Sequence, residues 1–192
     1  MRTRPIRKGH RSALRIGRHS QPNTAYFLTK CVLERKRAPL ARPDCAEVLI
    51  QSFRWARDRQ WFRILGFVIM PDHYHLIIAL GEVVPLERVM MSINRFTASQ
   101  INKILRRTGT FWEEGYYDHA IRDRKDFDVI LEYVHQNPVK AGLVQDPEEW
   151  LFSTAHPRFA DLIDWDWLGP SLPDFVPTKH RFESDKIPLF YR

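Results

Sequence analysis

The sequence has little that would place it in a membrane, in an oxidising compartment or on a nucleotide cofactor. It carries two cysteines, Cys31 and Cys45, in 192 residues. They are not spaced as CxxC and are too few for a disulfide framework, so a reducing, cytoplasmic setting is expected. The longest apolar stretch, from Ile64 to Met70 and interrupted by Gly66, falls far short of the roughly 20 residues that a membrane helix needs. No apolar segment follows the basic N-terminal stretch, so that stretch does not read as a secretory signal. There is no GxxxxGK[ST] or GxGxxG element, which argues against an ATP or dinucleotide cofactor, and no internal repeat. Residues 1–21 contain no Asp or Glu at all.

What the sequence does have is an uneven distribution of positive charge. The net charge is +7. Arg2, Arg4, Arg7, Lys8, Arg11, Arg15 and Arg18 equal that excess by themselves, leaving the rest of the chain balanced. Within the balanced part, Arg88, Arg95, Lys103, Arg106 and Arg107 face only Glu87, whereas Asp146, Glu148, Glu149, Asp161, Asp164 and Asp166 face only Arg158. The chain therefore divides into a basic arm (1–21), a central domain (22–145) and an acidic, Pro- and Trp-rich extension (146–192). A basic arm suits phosphate neutralisation, which supplies affinity without sequence preference; the competing reading is a solvated tail. Arg95, Lys103 and Arg106 read either as a solvated helix flank or as a phosphate track.

Hydrophobic residues make up 44% of the chain and aromatics 12%, enough for a folded core. Periodicity predicts a strand from Tyr26, a helix from Asp44 as N-cap through Trp55, and a strand over Trp61–Met70. A tight Pro71-Asp72 turn and a second strand over His73–Leu80 complete a hairpin. A helix over Leu86–Leu105, an aromatic strand within Phe111–Ile121 and a helix over Asp126–Gln136 follow. The first six elements match the α+β, ferredoxin-like split βαβ plan: an antiparallel sheet with helices on one face.

His73-Tyr74-His75 lies on the second hairpin strand. Side chains alternate across a strand, so His73 and His75 share a face and Tyr74 takes the other. Two neutral imidazoles at that spacing can share a divalent ion, although a His-x-His pair alone is more often structural. Tyr133, with Asn137 at i+4, projects from one face of the last helix. The ordinary reading of Tyr133 is a half-buried aromatic. Asn137 precedes Pro138 and reads equally as the N-cap of a new helix, and Gln136 offers a similar amide. Tyr116 and Tyr117 read as sheet or base-stacking residues, His135 as a surface residue, and Asp72 as a turn residue that could also support a histidine.

The string from Val68 to Leu76, VIMPDHYHL, resembles the signature of HUH transposases with a single catalytic tyrosine. FWEEGYYDH (111–119), EYVHQNPVKAGL (132–143) and WLFSTA (150–155) resemble the branch called REP-associated tyrosine transposases. The resemblance runs from about Tyr26 to His156. It implies an HUH endonuclease-type fold, a Mg²⁺ or Mn²⁺ ion on His73 and His75, a third polar ligand at Asn137 and a nucleophile at Tyr133. It also implies action on single-stranded DNA at hairpin repeats through a 5′-phosphotyrosine, by a monomer or homodimer. The competing readings are a non-catalytic hairpin-binding protein and a nicking protein of replication or plasmid transfer; the small size counts against the latter.

Overall fold

The computed structural model describes residues 20–167. Its four strands are β1 (Ala25–Cys31), β2 (Phe62–Ile69), β3 (His73–Leu80) and β4 (Tyr117–Ala120), and its three α-helices are α1 (Pro43–Asp58), α2 (Leu86–Ile104) and α3 (Arg124–Lys140). The strands form one antiparallel sheet in the order β2-β3-β1-β4. Two βαβ halves interleaved in this way give the expected ferredoxin-like plan.

Alternation along the strands sorts side chains onto two faces. Tyr26, Leu28, Phe67, Tyr74, Leu76 and Ile78 pack with α1 and α2 in the larger core. Ala25, Phe27, Val68, Ile77 and Ala79 pack with Phe127, Ile130 and Val134 of α3 in a smaller one. The two helices of the split βαβ unit share a face, as expected, and α3 covers the other. β2 carries a bulge between Ile64 and Gly66. A Cβ on Gly66 would stand 2.6 Å from Leu131 Cδ1, so the glycine is what lets α3 sit this close to the sheet.

Helix boundaries differ from expectation in two places. At α1, Arg42 takes the N-cap position and Pro43 is the first helical residue, where its missing N–H costs nothing. Asp44 is therefore inside the first turn, where it accepts a hydrogen bond from the Cys45 N–H and pairs with Arg42. At the other end of the chain, α3 starts earlier and runs further than Asp126–Gln136. Asp123 caps it by accepting from the Asp126 N–H at 2.9 Å. Asn137 and Pro138 are both helical, so Asn137 is not an N-cap. The helix ends in a Schellman motif: Gly142, at φ +69°, donates to Val139 O and Leu143 donates to Pro138 O.

Residues 146–167 return along the outer edge of β2. Ile69 donates to Phe152 O at 2.9 Å and Thr154 donates to Phe67 O at 3.0 Å. Ile64 donates to the Asp164 carboxylate, which also holds Arg57 at 2.6 Å. The edge that β2 would otherwise present is thus paired. Among the described residues, no helix is long and apolar enough to cross a membrane.

Candidate active site

The hairpin places His73 and His75 on the α3 face of β3, with Tyr74 fully buried on the other face and donating to Asn94 Oδ1 at 3.1 Å. The two imidazoles turn toward one another, and their Nε2 atoms stand 3.2 Å apart. The opposite ring nitrogens are each held by a neighbour. Asp72 accepts from His73 Nδ1 at 2.6 Å, and Thr29, the cross-strand partner of His75, meets His75 Nδ1 at 2.8 Å. A carboxylate can only accept, so His73 donates from Nδ1, and Thr29 can accept from His75 Nδ1 in the same way; a neutral ring held like this turns the lone pair of its Nε2 toward the other ring. Arg35 in turn binds the second Asp72 oxygen at 2.6 Å.

Electrostatics support a neutral His75 and an ionised Asp72. Burial, reinforced by the neighbouring His73, pushes the His75 pKa well below its usual value. The hydrogen bond from His73, aided by Arg35, holds Asp72 down at about 2 despite its partial burial.

Tyr133 brings its hydroxyl to 3.5 Å from His75 Nε2. Burial raises its pKa, and a hydrogen bond from the Asn137 side chain works the other way. That bond exists because i and i+4 share a helical face, which requires α3 to continue through Pro138. Gln136 turns elsewhere, to Glu132. His135 is half-buried rather than fully at the surface: it bonds Thr154 Oγ1 at 3.0 Å, and desolvation pushes its pKa down to about 4.

The donor set fits a divalent ion. Two nitrogens that each sit about 2.1 Å from one ion are about 3.0–3.4 Å apart in octahedral or tetrahedral geometry, and the observed 3.2 Å lies in that interval. Among the described residues, no third His, Cys, Asp or Glu joins them, and the side chain there that stands nearest to hand as a third ligand is the neutral Asn137 amide, bonded to Tyr133. Such a set leaves the ion's double charge uncompensated and available to phosphate oxygens.

The basic residues singled out in the sequence do not converge on this site. Arg95, Lys103 and Arg106 are exposed on or just beyond α2, across the sheet from the histidines. Arg2, Arg4, Arg7, Lys8, Arg11 and Arg15 lie outside the described residues. The cations that do border the site are Arg35 and Lys140, whose Nζ is 5.3 Å from the Tyr133 ring centre. Neither these nor Thr29 stood out in the sequence. Thr29 becomes visible only once β1 is in register with β3.

Comparison with known proteins gives the site its context. The model of the IS200-like transposases matches residues 24–137. A Haemophilus influenzae protein with the provisional name REP-associated tyrosine transposase is 28% identical over 155 residues, covering 75% of this chain and 87% of that protein. A REP-associated tyrosine transposase of Escherichia coli is 35% identical over 117 residues, covering 59% of this chain and 66% of its own length. A solved structure, described as a REP-associated tyrosine transposase bound to a REP hairpin, aligns with a TM-score of 0.61 at 26% identity, covering 86% of this chain and 97% of that one. The family match spans more than half of the 192 residues and takes in His73, His75, Tyr133 and Asn137; the chain belongs to the IS200-like transposase family and is similar within it to the REP-associated tyrosine transposases.

Proposed function

We propose that the protein cleaves and rejoins single-stranded DNA beside hairpin repeats, with Tyr133 as the nucleophile. The observation that carries this reading is the convergence of His73 Nε2, His75 Nε2 and the Tyr133 hydroxyl, within 3.5 Å from one group to the next. The hairpin substrate is inferred from the relative whose structure is described with a REP hairpin bound.

In this reading the Tyr133 oxygen attacks a DNA phosphorus and its proton passes to solvent. The bond from phosphorus to the 3′-oxygen breaks and that oxygen takes up a proton from solvent, leaving a 5′-phosphotyrosine and a free 3′-hydroxyl. Attack by another 3′-hydroxyl reverses the step and rejoins the strand without ATP, since the phosphoester is conserved. A buried phenol ionises reluctantly, and the Asn137 amide offsets part of that by donating to its oxygen. Asp72 and Thr29 fix the two imidazole rings, and Arg35 fixes Asp72. His73 and His75, with Asn137, would hold a Mg²⁺ or Mn²⁺ ion, which polarises the phosphate and offsets the charge developing on it.

The test is a covalent-adduct assay on hairpin oligonucleotides with single-stranded flanks in Mn²⁺. Wild-type protein forms a denaturation-resistant protein–DNA adduct, and Tyr133→Phe binds the hairpin but forms none. Hairpin binding by the wild type with no cleavage in any divalent metal would instead make the protein a binding module.

A further inference from the structure

Tyr117 opens β4, the edge strand on the opposite side of the sheet from β2. It pairs with Thr29, and Thr29 pairs with His75. Residues paired across antiparallel strands share a face. Tyr117, Thr29 and His75 therefore stand in a row across the sheet, with Tyr117 and His75 separated by two interstrand spacings, about 10 Å.

The Tyr117 ring meets Phe27 edge-on with centroids 6.2 Å apart, and Phe27 also contacts His75 at 5.2 Å and Tyr133 at 6.1 Å. One buried phenylalanine thus connects both candidate catalytic groups to an aromatic that is 38% exposed. Tyr133 on α3 and Tyr117 on β4 thus meet the same Phe27 ring from two different elements. Tyr116, the neighbour of Tyr117, does not compete for this position, because it packs into the α1–α2 core on the other face.

We infer that Tyr117 is a stacking platform for a base next to the phosphate offered to Tyr133. An exposed aromatic on a rigid strand, beside a site for a single strand, matches how such strands are held without base-specific hydrogen bonds, since every base has a π face. The Phe27 contact braces the ring. The platform positions the flank of the substrate and takes no part in bond making. It rests on the proposed cleavage function.

The experiment measures binding of a palindromic hairpin with single-stranded flanks, and of the same hairpin without flanks, in metal-free buffer so that no turnover occurs. The flank carries 2-aminopurine, whose emission is quenched on stacking. Tyr117→Ala is expected to weaken binding of the flanked hairpin by about tenfold or more, leave the unflanked hairpin unchanged and remove the protein-induced quenching. Tyr117→Phe and Tyr117→Trp should bind as the wild type. Equal binding of the flanked hairpin by wild type and Tyr117→Ala overturns the inference. So does an equal loss on both substrates, which marks a structural role, and so does a loss in Tyr117→Phe, which marks a role for the hydroxyl. The adduct assay on wild-type protein separates the two claims: no Tyr133 adduct sinks the cleavage reading whatever the quenching shows, whereas adduct formation with Tyr117→Ala binding unimpaired sinks only the platform.

Discussion

The two faces of the sheet are made from the same strands yet are built for different ends. Against α1 and α2, the sheet buries Phe67, Tyr74 and Leu76 in a closed core joined by edge-on rings, such as Phe53 of α1 with Phe67 at 5.8 Å and with Tyr74 at 5.4 Å. Against α3, only part of the face is apolar; the remainder carries Thr29, His73, His75 and Tyr117. One tripeptide, His73-Tyr74-His75, contributes to both. Alternation lets a strand bury its middle ring for stability while its neighbours turn to the candidate site on the other face.

Single substitutions should separate the two roles. The largest effect is expected at His75→Gln, which removes an imidazole from the candidate metal set. Adduct formation should fall by about a hundredfold or more, while the melting temperature changes by only a few degrees; cleavage near wild-type level would break the division between faces. Phe67→Ala should do the reverse. Emptying that position costs about 3–5 kcal/mol, read as a fall in the denaturant midpoint, while adduct yield per folded molecule stays unchanged. Asp72→Asn probes the outer support of the chemical face: it should weaken divalent-metal affinity by about 10–100-fold, measured by titration calorimetry, with little loss of stability.

The smallest effect is at Asp126, where α3 is tied to β4 through His119 Nε2 at 2.8 Å. Burial acts to raise the Asp126 pKa, but His119 and the Arg122 N–H outweigh it and the net shift is downward. A carboxylate with a lowered folded pKa stabilises above its unfolded pKa, about 3.9, and loses that contribution as pH falls. Asp126→Asn should therefore cost about 1 kcal/mol near neutral pH, with the gap to wild type closing below about pH 4. A gap that persists into acid would show that the pair is not what holds the start of α3.

Much of this was legible in the sequence because it depends on local rules. The β2–β3 hairpin follows from two apolar runs around Pro71-Asp72, and the common face of His73 and His75 follows from strand alternation. The partners of those histidines were not legible. Thr29 lies 46 positions from His75, and only tertiary pairing brings them together. The face taken by α3 was hidden for the same reason, and with it the fact that Arg95, Lys103 and Arg106 lie across the sheet from the histidines. Asn137 was ambiguous because Asn-Pro commonly opens a helix. Here Pro138 falls near the end of α3, and Gly142 provides the stop four residues later.

The closure of β2 by the segment around Phe152 and Thr154 puts a delay into the making of the protein. The Phe67–Thr154 pair spans 87 residues. At ribosomal rates of about 5–20 residues per second, β2 is synthesised roughly 4–17 s before the segment that seals it. During that interval its outer backbone groups are open to any other extended chain. Newly made molecules crowded on one messenger should therefore be most prone to mispair at β2, and a chain cut short before Trp150 should carry that hazard permanently.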